Sequence, residues 1–433
     1  MKRHVHVLGM DDLNREMLAT IRGADALEFH SVLDASEVVG LSRYRVSELL
    51  ETARERLNAF EGSIDALIGD FDFPVSTLLP ILRRERGLPG PSLEAVLKCE
   101  HKYWSRVVQG EVIPEHAPRY AVFDPNDDTA LLKAGIDYPY WMKPIKSFSS
   151  YLGFQIESSQ DFRDAIHTIR EGIGRFRDSF GLVVQLADVP PDIRAIGGGY
   201  VIAEEIISAS HQATVEGYAH RGDVVCYGVI DSVRLDGGSS FRAYEYPSGL
   251  PESVQARMRD ISARVMRHIG YDMAPFNIEY FWDEARDRIS LLEINPRISR
   301  SHGPLFALVG GASHHEVAVA LALGERPEFT PRGGRYRYAG KYFIRRDKDA
   351  IVRREPSAAE VEALRREVPG ARVYLTAHAG DRLSGLMDQD SYTYELAVVF
   401  VGADSREALR ERYELAESLL RYELDESTDF RSA

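Results

Sequence analysis

The sequence predicts an α/β protein of more than one domain, on three observations. Short apolar runs alternate with helical patterns through the first hundred residues, and a similar unit recurs from Leu131 to about Arg177. Two apolar strands flank a charged turn between Phe276 and Asn295. The chain has 433 residues, 44% hydrophobic and 28% charged, enough to bury more than one core.

In order along the chain, Val5 to Gly9 reads as a buried strand with glycine at its end. Asp12 to Ile21 and Val46 to Phe60 carry amphipathic helical spacing, and Asp65 to Asp70 reads as another strand. Pro74 stands where a helix can start, and Gly87-Leu-Pro-Gly-Pro91 ends it. A strand at Tyr140 to Lys143 then meets a serine-rich turn and a helix from Ser159 towards Arg170. Gly197 to Gly199 precede a strand rather than a helix, which favours a flexible hairpin over a phosphate loop.

Strands follow at Gly199 to Ile207, Thr214 to Tyr218 and Asp223 to Ile230, with a loop at Asp236 to Ser240. Val254, Met258, Ile261, Val265 and Ile269 recur every three or four residues, which predicts a helix from Glu252 to His268. The last region, from about Arg332, holds strands at Tyr338 to Ile344, Arg372 to Thr376 and Tyr394 to Val401, and a helix from Ser405 to Tyr422.

Composition excludes several classes of function. A net charge of -14 argues against binding nucleic acid or anionic membrane through a diffuse basic surface. Cys99 and Cys226 are the sole cysteines, which supports neither a disulfide framework nor a zinc site of spaced ligands and fits a reducing cytoplasm. The N-terminal apolar run is broken by His6, too short for a signal-peptide core. No stretch approaches the roughly 18 apolar residues of a membrane span.

The chemistry is concentrated in the hairpin. With its turn centred near Arg286, Glu279 faces Glu293 and Asn277 faces Asn295, all four on one face of the sheet. Opposed carboxylates repel, so a hairpin that tolerates them supplies a compensating cation. Hard oxygen donors with an amide beside them suit Mg²⁺, which takes its remaining ligands from water and substrate phosphates. A single glutamate on a strand is ordinarily just solvated; the pairing, with Asn295 and Arg297 continuing the same side, points instead to a nucleotide site.

The run Leu292-Glu-Ile-Asn-Pro-Arg-Ile-Ser-Arg-Ser-His302 resembles the metal-binding strand of ATP-grasp enzymes, and most closely that of the carbamoyl-phosphate synthetase large chain and biotin carboxylase. The resemblance implies an ATP-grasp fold with a Rossmann-like N-terminal domain to about Leu97, ATP-grasp lobes over 98–331 with a central lid lobe near 131–205, and a C-terminal lobe over 332–433. It implies ATP and Mg²⁺ as cofactors, with Mn²⁺ as an alternative metal. Glu279, Glu293 and Asn295 would hold the metal, and Arg297 the acyl phosphate or its oxyanion.

Upstream, Ser92 to Lys102 followed by Val112 to Pro118 is similar to the family's first lysine segment and the strand leading to the central lobe, although His101 stands where the family has aspartate. Trp141-Met-Lys-Pro144 is similar to the second lysine segment, and Ile145 to Gly153 lies in place of the phosphate loop, with serines for glycines. The implied nucleotide contacts are Lys102, Lys143, Ser149 and Ser150, with Glu204, Glu205 and Ile207 of the hinge strand on adenine and His211 on ribose.

Ser301 stands where biotin carboxylase has glutamate, there is no biotin-carrier Met-Lys-Met motif, and the chain lacks the duplicated halves of carbamoyl-phosphate synthetase. The resemblance therefore implies a stand-alone carboxylate-amine ligase, with a small-molecule carboxylate and an amine as partners. Arg234, Arg242 and Arg300 are candidate carboxylate anchors, with His302 in the same candidate substrate set. A bicarbonate-activating carboxyphosphate enzyme and a non-catalytic nucleotide-binding module stay open, as does a homodimer.

Overall fold

The computed structural model describes residues 2–127, 129, 135–147, 151–207, 209–235, 240–330, 333–387, 389–390 and 392–425. The chain divides into two compact units. One comprises Met1–Val229, Leu250–Arg300 and His314–Phe329; the other comprises Ile230–Gly249, Ser301–Ser313 and Thr330–Ala433.

In the first unit, Arg3–Met10 forms the middle of a parallel sheet between Leu27–Asp34 and Ala66–Ile68. Val5 and Val7 point to a core shared with Leu18, Ile21 and Ile68. Gly9, at the end of the strand, has φ +83°, and a Cβ there would stand 2.5 Å from the Phe71 ring, so the tight exit requires glycine. Helix Val46–Ala59 buries Val46, Leu50, Ala53 and Leu57, the stripe that its spacing predicts. Helix Val75–Glu85 follows Pro74 directly.

A four-stranded antiparallel sheet runs Tyr120–Phe123, Val201–Glu205, Tyr140–Pro144, Phe154–Ile156, and helix Ser159–Gly172 packs on it through Phe162, Ile166 and Ile169. The strand expected over Val112 to Pro118 is instead a 3-10 turn, Pro114–His116, and the strand starts at Tyr120. Two prolines without N–H groups cannot serve a ladder there. Gly197 to Gly199 join helix Pro191–Ala195 to the strand at Val201, a helix-to-strand turn in place of the expected hairpin.

Also in this unit, strand Arg288–Asn295 lies beside Ala274–Asp283, then His211–His220 and residues 223–229 of the next strand. Helix Glu252–Ile269 buries Val254, Met258, Ile261, Val265 and Ile269. Each such side chain contributes roughly 1.5–3 kcal/mol on full burial. Gly270, φ +73°, ends the helix in the left-handed conformation.

The second unit is an antiparallel sheet of Phe241–Tyr246, Tyr338–Arg346, Tyr394–Ala403 and Arg372–Leu375. Helix Arg406–Leu419 sets Leu409, Tyr413 and Ala416 into its core, and helix Ala358–Glu367 begins in a capping box between Ser357 and Glu360. The short pair Ile351–Arg354 and Glu423–Asp425 and the Ala358–Glu367 helix are absent from the sequence reading. Among the described residues, no single helix is long and apolar enough to cross a membrane.

Candidate active site

The hairpin register at its open end is as expected: Glu279 pairs with Glu293 and Asn277 with Asn295. The route to that register is not. Near the tip, Asp283 pairs with Arg288 and Tyr280 with Leu291, a register that would carry Glu279 opposite Leu292. A bulge between Glu279 and Tyr280 leaves Leu292 as the extra residue and turns Glu293 to the face of Glu279.

Arg106 satisfies the carbonyls that the bulge leaves. Its Nη1 donates to the Leu291 carbonyl at 3.1 Å and its Nη2 to the Leu292 carbonyl at 2.7 Å, while Nε pairs with Glu204 Oε1 at 2.6 Å. Lys143 takes the other Glu204 oxygen at 2.8 Å. Burial pushes the Glu204 carboxyl up, but Arg106 and Lys143 outweigh it and hold the group at about 2.

Lys102 is the first residue of helix Lys102–Val112. His101 caps this helix, Nδ1 accepting from the Trp104 amide at 3.3 Å and Nε2 donating to the Ile196 carbonyl at 2.7 Å. Burial holds this capping histidine neutral, with its pKa lowered to about 4. Lys102 Nζ donates to the Ser147 carbonyl at 2.7 Å and pairs with Glu293 Oε1 at 3.1 Å. Burial raises the Glu293 carboxyl, and Lys102 and Lys143 together bring it down to about 2, so it is ionised at neutral pH.

Glu279 accepts from Gln212 Nε2 at 3.0 Å and from Asn295 Nδ2 at 3.5 Å. Asn295 also donates to Asn277 Oδ1 at 3.0 Å, and Asn277 Nδ2 to the Arg297 carbonyl at 2.9 Å. The result is a face of oxygen donors, with Lys102 on the Glu293 side of the opposed pair. A small cavity lies beside it, lined by Lys102, Arg106, Lys143, Glu204 and Glu293 among others.

Lys146 and Glu100 form a buried pair at 2.7 Å, the ammonium 5.6 Å from the ring centres of both Phe73 and Phe180. Neither they nor Arg106 were singled out in the sequence. Lys146 lies two residues after the Lys-Pro of the second lysine segment; Arg106 and Glu100 give no signal without the helix that aims them.

Other candidate residues have different surroundings. Ser149 and Ser150 lie outside the described residues. Glu205 alternates to the opposite face from Glu204 and pairs with Arg119 at 2.9 Å and Arg288 at 3.7 Å. Ile207 is half-buried just beyond the strand. His211 stacks on Trp282 and reaches Glu284 at 3.3 Å; alternation directs it away from the face of Gln212, so the structure does not bring it to the oxygen-donor cluster.

Arg297 is held in a fork by Asp72, Nε to Oδ1 at 2.7 Å and Nη2 to Oδ2 at 2.8 Å. Arg300, a candidate carboxylate anchor, pairs with Asp11 at 2.5 Å and Asp70 at 3.2 Å and lies over the Phe71 ring. Asp70 is buried and further engaged by His315 and Asn14, each at 3.2 Å. Burial raises its carboxyl, and Arg300 and His315 overcome this and depress it. Asp11, Asp70 and Asp72 sit in turns after strands, where no periodicity marks them.

Glu216, paired across strands with Asn277, is fully buried and accepts from the Ser299 amide at 3.1 Å, with His314 Nδ1 at 3.6 Å. Burial raises it to about 7 against the opposing pull of His314. Arg234, Arg242 and His302 belong to the second unit. There Arg234 lies over Phe241, Arg242 is exposed, and His302 is buried edge-on to Tyr244.

Known proteins agree with this geometry. Residues 245–328 match the family described as carbamoyl-phosphate synthase L chain, ATP-binding domain. An uncharacterized protein of Sinorhizobium fredii, y4rH, is 24% identical over 339 residues, covering 74% of this chain and 64% of its own length. The carbamoyl phosphate synthase large chain of Paenarthrobacter aurescens is 37% identical over 75 residues, 17% of this chain and 7% of that protein. The chain thus spans less than two thirds of the first relative and a small part of the second. In structure, the L-amino acid ligase of Bacillus licheniformis superposes with a TM-score of 0.75 at 14% identity, over 99% of both chains. The chain thus has the ATP-grasp fold over nearly its whole length, and its carboxylate hairpin lies within the segment that matches the carbamoyl-phosphate synthase ATP-binding domain.

Proposed function

We propose that the chain is an ATP-dependent carboxylate-amine ligase, forming an acyl phosphate from a small carboxylate, an amino acid or related metabolite, and passing the acyl group to an amine. The observation that carries this reading is the opposed pair Glu279 and Glu293, flanked by Asn295 and faced by Lys102. Two opposed carboxylates with an asparagine beside them make a face of hard oxygen donors, which fits a hard divalent ion. Mg²⁺, with Mn²⁺ able to substitute, would be held by Glu279, Glu293 and Asn295 and would supply neutralisation of phosphate charge.

The lysines do the rest of the charge stabilisation. Lys102 and Lys143 now pair with Glu293 and Glu204. ATP phosphates would draw both ammonium groups away, so nucleotide binding exchanges internal ion pairs for ones to substrate. A carboxylate oxygen of the substrate then attacks the γ-phosphorus, and the bond to the ADP oxygen breaks. The amine attacks the acyl carbon, phosphate leaves, and the amine proton passes to solvent or a base. Arg297, pre-oriented by Asp72, would stabilise the oxyanion of that second step.

The whole-length likeness to an amino acid ligase fold supports this reading. The sequence match to the carbamoyl-phosphate synthase domain favours a second one, activation of bicarbonate as carboxyphosphate.

The test is ADP release with Mg·ATP and hydroxylamine across amino acids, dicarboxylates and bicarbonate, with Glu293→Gln as control. A hydroxamate formed from one carboxylate supports the ligase and names its electrophile. ADP release dependent on bicarbonate moves the assignment to the second reading. Nucleotide binding without turnover on any carboxylate sinks both in favour of a binding module.

A further inference from the structure

The N-terminal parallel sheet carries a second group of ligand-type side chains. Its register sets His4 opposite Glu28 and His6 opposite His30. Alternation puts these four on one face, two by two, while Val5 and Val7 point the other way into the core. His4 Nδ1 is 2.9 Å from His30 Nε2 and 3.9 Å from Glu28 Oε2. One ligand atom from each of these three residues lies within 4.8 Å of the others. The His6 ring centre is 5.0 Å from that of His30, and the Phe60 ring packs 4.6 to 5.4 Å from all three imidazoles.

His6 makes this more than a packed aromatic cluster. It is 2% exposed, and neither of its ring nitrogens has a hydrogen-bond partner among the described residues. Buried polar groups are normally satisfied, and an imidazole with both nitrogens idle beside three other donors is arranged for a ligand. Glu28, whose side chain is 53% exposed, leaves the group open to solvent on one side.

We propose that His4, His6, His30 and Glu28 bind one divalent transition-metal ion, Zn²⁺ by preference. Three neutral imidazoles and a carboxylate suit Zn²⁺ and do not suit Mg²⁺, which takes oxygen ligands. His4, His30 and Glu28 already stand at ligating distance of one another, and the adjoining His6 turns in as the fourth ligand, which leaves no position for a reacting water and makes the ion structural, fastening the two strands. The ion replaces the hydrogen bond between His4 and His30, the donor imidazole moving its proton to its other ring nitrogen.

The test is equilibrium dialysis of the untagged 433-residue chain against Zn²⁺, with excess Mg²⁺ present to compete at the oxygen-donor face of the hairpin. Visible absorption after Co²⁺ substitution reports the geometry. One equivalent of Zn²⁺ is expected, with intense four-coordinate Co²⁺ bands and a raised melting temperature. Glu28→Gln, at an exposed position, and His30→Ala should each weaken binding at least ~10-fold, whereas Glu293→Gln should bind Zn²⁺ as the wild type does. No stoichiometric binding, equal binding by wild type and Glu28→Gln, or loss of binding in Glu293→Gln would each overturn the proposal.

Discussion

Lys102 Nζ stands 3.1 Å from Glu293 Oε1 and 2.7 Å from the Ser147 carbonyl, so one ammonium ties together a helix start, the first serine of the serine-rich segment and the hairpin. The same contact holds Glu293 ionised, which is the state that ligates a cation.

Replacing either partner should remove turnover. Glu293→Gln and Lys102→Met are each expected to lower kcat for ADP release by ~10²-fold or more, the scale set by losing one electrostatic stabiliser. Glu293→Gln should keep the wild-type circular dichroism spectrum. Unchanged activity in that variant would remove the metal-ligand role of the hairpin.

Asp72→Asn tests the fork on Arg297. Losing one ionic partner of a mostly buried guanidinium should lower stability by about 1.5–3 kcal/mol. It should also lower kcat ~10-fold or more while leaving the KM for ATP within about twofold, because Arg297 is assigned to the acyl step. A change confined to the KM for ATP would contradict that assignment.

Arg106 supports Glu204 and the two bulge carbonyls at once. Arg106→Met leaves Glu204 with Lys143 alone and both carbonyls without this donor, which should cost about 3–5 kcal/mol in urea unfolding. Arg106→Lys keeps the charge without the fork and should fall between. Equal stability of the lysine variant and the wild type would show that charge alone is needed.

Glu216 predicts a dependence of stability on pH. Its carboxyl is raised from 4.5 to about 7 in the folded chain, by burial first. The folded state therefore holds the proton more tightly than the unfolded state, and this contribution is full below pH 4.5 and lost as pH rises to about 7. At 1.36 kcal/mol per pH unit the loss is at most about 3 kcal/mol. Glu216→Gln should abolish that slope in urea unfolding between pH 4.5 and 8. Parallel pH profiles for the variant and the wild type would refute it.

Periodic elements were legible in the sequence because burial imposes its spacing directly. Val254 to Ile269 and Val46 to Leu57 show their buried stripes as plain text. The pairing of Glu279 with Glu293 was legible from a turn centre near Arg286, but its cause was not, because the chain reaches that pairing through a bulge at Leu292. Long-range partners were not. Asp72 meets Arg297 across 225 positions and Asp70 meets Arg300 across 230, and no local pattern encodes such a pairing. Arg300 and His211 likewise have internal partners that charge and position in the sequence do not reveal.

The bulge at Leu292 makes the carboxylate pair a trait that a three-nucleotide deletion can erase. Removing that codon keeps Glu279, Glu293 and Asn295 in the chain and leaves the local motif almost intact to the eye. Continuing the register of the hairpin tip, however, Glu293 would fall on the opposite face from Glu279. When hairpins of this type are sorted by inheritance or mined for new enzymes, the residue count from tip to glutamate is therefore a better marker of competence than the motif letters.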